Sequence, residues 1–209
     1  MRKPIAEVLD ARRQESLTPE GVLEELMSGN QRFVEGAGLE RDYRSQARAS
    51  LSGQYPKAVI LSCIDSRVPV ELIFDQGIGD VFVGRIAGNV ESDHMLGSLE
   101  YACKVAGSKL LLVLGHEHCG AIKSAIQQVK LGNITSLLSA IEPAVAATEA
   151  AGRSAEDAAY VAEVVCNNVH QTLARIRYRS PILAEMEEKG EIALRGGVYA
   201  LQSGEVTLL

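Results

Sequence analysis

The sequence predicts an α/β fold: a mainly parallel sheet of four strands plus an edge strand, flanked by helices, with an N-terminal helical arm. Three observations predict it. Compact apolar runs at 58–62, 81–86 and 109–114 end abruptly in turn or polar residues, as strands buried on both faces do. Leu96, Leu99, Ala102, Cys103 and Ala106 recur at helical spacing between the second and third runs, the pattern of a helix laid on a sheet. The tail from Ile192 to Leu209 alternates short apolar runs with Gly196-Gly197 and Ser203-Gly204, which predicts the fourth parallel strand and the edge strand.

In chain order, Ile5, Val8 and Leu9 are spaced for one face of a short helix within residues 1–16. Thr18-Pro19-Glu20 opens a second helix, with threonine as N-cap and proline at the first helical position. Val22, Leu23, Leu26 and Met27 form its apolar stripe, Phe33 and Val34 extend it, and Gly36 and Gly38 end it. Residues 39–56 are charged and read as a connection. Val70 to Phe74 reads as a helical turn, and a helix is expected from 120 to 131. Two alanine-rich helices follow at 134–151 and 154–178, and a short one runs from Pro181 to Lys189. Cys103 and Cys166 lie among apolar residues and read as core. The domain division is a helical arm over 1–36 and a single α/β domain over 37–209.

Composition narrows the function. A chain of 209 residues fits one domain and needs no disulfides to hold its core. The net charge of −6 and pI near 5.3 argue against a nucleic-acid surface. No stretch approaches the ~20 apolar residues that span a bilayer. The start, Met1-Arg2-Lys3-Pro4, lacks the apolar core of a secretory signal, and the four cysteines form no disulfide framework. The expected location is the cytoplasm. Gly77-Ile78-Gly79 is not a dinucleotide fingerprint, because it precedes its strand and Phe82 replaces the third glycine.

The chemistry gathers at two strand ends. Ala58 to Ser62 runs into Cys63-Ile64-Asp65-Ser66-Arg67, and Leu110 to Leu114 runs into Gly115-His116-Glu117-His118-Cys119-Gly120. In open α/β sheets, ligands bind beyond the carboxyl ends of the strands. If these strands share a sheet, Cys63, His116 and Cys119 converge. Two thiolates and an imidazole suit zinc, and three protein ligands leave a fourth position open for chemistry. Asp65 and Arg67 are placed to pair through a bidentate salt bridge.

Cys63-x-Asp65-x-Arg67 followed by His116-x-x-Cys119 resembles the β-class carbonic anhydrases. Ser66-Arg67-Val68-Pro69, Arg85-Ile86-Ala87-Gly88-Asn89, Gly97-Ser98-Leu99-Glu100-Tyr101-Ala102 and Cys119-Gly120-Ala121-Ile122-Lys123 agree with it, and the likeness runs from Thr18 to Leu209. The resemblance implies a carbonate dehydratase, in which zinc-bound hydroxide hydrates carbon dioxide reversibly to bicarbonate and a proton. Cys63, His116 and Cys119 would hold Zn²⁺, and Asp65 and Arg67 would be the catalytic pair. Gln54, Phe82, Ala87 and Tyr101 would line the substrate pocket, although Ala87 replaces the valine common in the plant branch. A homodimer or dimer of dimers is implied, with the active site bordering the subunit interface. Two rivals stay open: hydrolysis of carbonyl sulfide or carbon disulfide on the same scaffold, and a non-catalytic zinc-stabilised binding module.

Overall fold

The computed structural model describes residues 4–209; Met1, Arg2 and Lys3, part of the expected first helix and of the stretch lacking a signal core, lie outside the described residues. A five-stranded sheet forms the centre, in the order β2-β1-β3-β4-β5. Its strands are β1 (Ala58–Ser62), β2 (Val81–Arg85), β3 (Leu110–His116), β4 (Ala193–Tyr199) and β5 (Val206–Leu208). The first four are parallel, and β5 closes one edge antiparallel to β4.

Side chains alternate across a pleated strand, so each strand supplies two cores. Val59, Leu61, Leu111, Val113 and Leu194 face one side, where they meet α5 (Asp93–Glu100), α9 (Ala158–Arg179) and α10 (Pro181–Glu188). Ala58, Ile60, Leu110, Leu112, Leu114 and Ala193 face the other, against Val22 and Leu26 of α2 (Pro19–Val34) and Val70 and Ile73 of α4 (Val70–Ile73). Every residue of β1 and β3 is buried, as a central parallel strand requires. β2 differs. It is an edge strand, half-buried from Val81 to Gly84 and exposed at Arg85.

Helix α2 begins and ends as expected, with the Thr18 side chain accepting from the Gly21 N–H. Asn30 on this helix reaches the far end of the chain. Its side chain donates to the Ile73 and Gly204 carbonyls and accepts from the Val206 N–H, at 2.8–3.1 Å. Helix α9 lies close on the sheet because Gly115 and Gly196 stand beneath it. A Cβ at Gly115 would come within 2.8 Å of Val169, and one at Gly196 within 2.7 Å.

Several local expectations are corrected. Ile5 forms no helix; it bridges Arg41, and the only helix before Thr18 among the described residues is α1 (Ala11–Glu15), capped by Asp10. The connection at 39–56 contains α3 (Tyr43–Ala49), capped by Asp42, followed by a 3₁₀ turn at Ser50–Ser52. The helix on the 96–106 stripe widens into a π-turn over Tyr101–Val105. His116 closes β3 rather than following it, because β4 extends the pairing to His116 with Tyr199. Helix α6 (Gly120–Ile126) stops short of 131, capped by Gln127 just before Gln128 turns to φ 55°. The expected 134–151 helix is broken into α7 (Gly132–Ser139) and α8 (Glu142–Ala146). Cys103 is core, and burial pushes its thiol up to about 12. Cys166 is only half-buried.

Candidate metal centre

The register of the sheet brings the three expected ligands together. β1 and β3 are neighbours with Ser62 opposite Leu114, so Cys63 leaves β1 beside the end of β3. Cys119 caps α6 directly after the β3 turn. The two sulfurs and a His116 ring nitrogen all lie within 4.8 Å of one another, and all three residues are buried.

Each ligand is prepared by its surroundings. His116 Nδ1 lies 2.8 Å from the Glu117 carbonyl oxygen, which can only accept, so Nδ1 carries the proton and Nε2 presents its lone pair. Nε2 is fully buried and has no hydrogen-bond partner. Cys63 Sγ lies 4.0 Å from Cys119 Sγ and 3.4 Å from the Gly88 N–H, which donates to it. Sharing the Cys119 proton holds the Cys63 thiol well below its ordinary value, with His116 and the Gly88 N–H helping. The same sharing, with burial, raises Cys119. An orphaned imidazole nitrogen facing two sulfurs fits a soft metal ion, which would take both sulfurs as thiolates.

Asp65 and Arg67 form the expected pair. Arg67 donates from Nε at 2.9 Å and from its terminal nitrogen at 2.7 Å to the two carboxylate oxygens, and its backbone N–H adds a third bond at 2.9 Å. These bonds hold the Asp65 carboxyl below the usual carboxylate range despite the opposing effect of burial. Asp65 Oδ2 stands 3.9 Å from His116 Nε2, so the carboxylate borders the metal cradle. His118, with φ 53°, is exposed, and its carbonyl accepts from Arg67 at 3.5 Å.

The sequence reading missed Arg85 as a site residue. At the end of β2, it donates to the Cys63 carbonyl at 2.9 Å and the Asp65 carbonyl at 2.6 Å, pinning the turn that carries both residues. Arg85 lies in a motif quoted for the resemblance, but nothing in the sequence identifies its partners.

The four expected pocket residues fall into two groups. Ala87 follows β2 at the metal end, next to Gly88. Phe82 pairs with Val59 toward the opposite end of the sheet, and Gln54 lies in the loop that enters β1 at that end. Tyr101 joins Phe82, with ring centroids 6.3 Å apart in an edge-on arrangement, and remains 51% exposed. Within one chain, Gln54, Phe82 and Tyr101 do not reach the metal cradle.

The carbonic anhydrase family profile matches residues 58–206, which span the four parallel strands and all three sulfur and nitrogen ligands. The chain belongs to the carbonic anhydrase family. A carbonic anhydrase of Mycolicibacterium smegmatis is 38% identical over 88% of this chain and 89% of its own length. Carbonic anhydrase 2 of Mycobacterium tuberculosis matches equally, at 38% identity with the same coverage. A solved β-carbonic anhydrase from Coccomyxa, in complex with acetazolamide, superposes with a TM-score of 0.69 at 26% identity, over 90% of this chain and 86% of that one. The β-carbonic anhydrase CcaA gives a TM-score of 0.72 at 26% identity, over 90% and 87%. The mostly parallel sheet matches the fold of the β-carbonic anhydrases, and this chain carries a Cys-His-Cys cluster that could hold a metal ion. No helix among the described residues is long and apolar enough to cross a membrane.

Proposed function

We propose that the chain hydrates carbon dioxide reversibly to bicarbonate and a proton, using zinc held by Cys63, His116 and Cys119. The observation that carries this reading is the orphaned His116 Nε2 facing two sulfurs at the carboxyl end of a parallel sheet. Zinc held there would supply a nucleophile derived from water near neutral pH. The Asp65 carboxylate, bordering the cradle 3.9 Å from His116 Nε2, would accept a hydrogen bond from the nucleophile and orient it toward the substrate. Arg67 keeps Asp65 ionised and aimed, and its fork geometry resists rotation of the carboxylate. Ala87 provides an apolar wall for an apolar substrate. Two of the four cysteines must stay reduced to hold the metal, which fits a cytoplasmic location.

The other half of the pocket comes, in this proposal, from a second copy. β2 is the half-exposed edge of the sheet, with Ala87 beyond one end and Phe82, Tyr101 and Gln54 toward the other. A two-fold axis across that edge reverses the partner's direction. It sets the Gln54 end of one copy beside the Cys63 end of its mate, and does so twice. Ile64, 61% exposed between Cys63 and Asp65, gains cover in such a pair.

Mixed pairs test both parts. Gln54→Ala and Asp65→Ala chains are co-expressed with different tags, and the doubly tagged species is assayed by stopped-flow proton release from carbon dioxide. A shared pocket gives each mixed pair one site with both defects and one with none. Activity should recover toward half of wild type. A mixed species no better than the mean of its parents shows self-contained sites, and a wild-type protein that binds zinc without releasing protons ends the enzymatic reading.

A further inference from the structure

One contact chain to the cradle begins on a helix that supplies no ligand. Asn168, on α9, is 1% exposed and stands among Val161, Val164, Val165 and Val169, all buried. Its Nδ2 donates to the Gly88 carbonyl at 2.8 Å, and the Gly88 N–H donates to Cys63 Sγ at 3.4 Å. The other end of the amide, Oδ1, is buried without a partner. Burying an amide with one end unsatisfied is costly, so packing does not account for asparagine at this position. What it contributes is the donor. Farther along α9, Arg175 binds both carboxylate oxygens of buried Glu91 at 2.8 and 2.9 Å, and Arg179 adds a bond at 3.2 Å. The 87–91 loop is therefore fastened to α9 at two points, and Gly88 sits in the left-handed region with φ 71°.

We infer that Asn168 is a positioning residue for the metal centre: by holding the Gly88 carbonyl, it aims the Gly88 N–H at the Cys63 sulfur. The Gly88 carbonyl and N–H lie in the two rigid peptide planes that meet at its Cα, so with φ 71° and ψ 17° set, fixing the oxygen orients the N–H. Hydrogen bonds to a ligating sulfur lower its electron density and fix its direction, and partners outside the ligand shell tune metal sites in this way. The inference rests on the metal-binding reading of Cys63, His116 and Cys119.

The test compares Asn168→Leu and the milder Asn168→Ala with Leu173→Ala, a packing change on the same helix that leaves Gly88 untouched. Zinc affinity is measured by competition with a chromophoric chelator. The cobalt-substituted proteins are compared by their sulfur-to-cobalt charge-transfer band, and thermal midpoints are recorded for all. Both Asn168 variants should lose about tenfold in zinc affinity and shift the charge-transfer band. Leu173→Ala should lower the midpoint while affinity and band stay at wild type. The inference is overturned if the Asn168 variant that folds keeps wild-type affinity and band, or if Leu173→Ala moves them equally. A wild-type protein that binds neither metal would instead refute the metal-centre reading beneath it.

Discussion

Gly88→Ala tests whether backbone geometry at the metal cradle is a stability problem as well as a catalytic one. At φ 71°, an L-residue costs about 1–2 kcal/mol. The new Cβ would come within 2.6 Å of Ile141 Cδ1 and 3.4 Å of Ala121 Cβ. Ile141 is fully buried, so moving its methyl end adds an overpacking cost of about 1–3 kcal/mol. Together the expected loss is about 2–5 kcal/mol, a large share of the 5–15 kcal/mol that stabilises an ordinary domain. Gly97→Ala is the matched control. Gly97 lies in α5 with open space where its Cβ would stand, and alanine there should stabilise by up to ~1 kcal/mol. Urea unfolding at fixed excess zinc reads both. The midpoint should fall for Gly88→Ala with the denaturant slope unchanged, and rise slightly for Gly97→Ala. If the two variants shift together, or Gly88→Ala matches wild type, the left-handed strain and the Ile141 contact do not act as described.

Three further outcomes follow from single contacts. Arg85→Leu removes both bonds to the Cys63–Asp65 turn. It should lower kcat/KM by about a hundredfold through misplacement on the scale of 1 Å, with bound zinc measured alongside; full activity at full occupancy would show the turn holds itself. Asp75 is buried, and burial opposes its ionisation, but bonds from Arg32 and Arg41 outweigh this and lower its pKa. Because the folded value lies below the unfolded value of about 3.9, its contribution is complete above that pH and is lost as pH falls through the folded value. Asp75→Asn should cost about 3 kcal/mol at neutral pH, since Arg41 stays buried without its charge partner, and acid unfolding below pH ~4 should become shallower. Asn30→Ala leaves the Gly204 carbonyl and Val206 N–H without their partner, and hydrogen exchange should show β5 opening ahead of the rest of the sheet. Protection in β5 equal to that in β3 would sink that account.

The sequence disclosed what local pattern and residue chemistry control. Leu110 to Leu114 had to be a buried strand because an unbroken apolar run has no solvated face, and ligand-type residues at its end marked the site. Helix α3 was obscured because Tyr43-Arg44-Ser45-Gln46-Ala47-Arg48-Ala49 offers no apolar stripe; its one buried side chain is Gln46. Asp42 was the available signal, as an N-cap whose side chain accepts from the Ser45 N–H. The 1–16 helix was overcalled because Ile5, Val8 and Leu9 fit a helical face by spacing alone, whereas Ile5 takes its partner from residue 41. Arg85 and Asn168 were not legible at all. Their partners lie 22 and 80 residues away along the chain, and only the folded sheet brings them together. The pocket residues were named by resemblance, but their separation into two ends of the sheet appears only in the register of Phe82 with Val59.

Asn30 also bears on how the chain is made. Its side chain closes a contact with Val206, 176 positions later, so the first large helix and the last strand complete each other. During synthesis at about 5–20 residues per second, α2 therefore waits roughly 9–35 s after Asn30 emerges before its carboxamide can meet that strand. β4 itself appears only just before β5, so its outer side lacks a neighbour for a small part of that interval. The tight turn at 200–205 keeps that delay short, and the edge most open to wrong pairing is exposed only until β5 has been made.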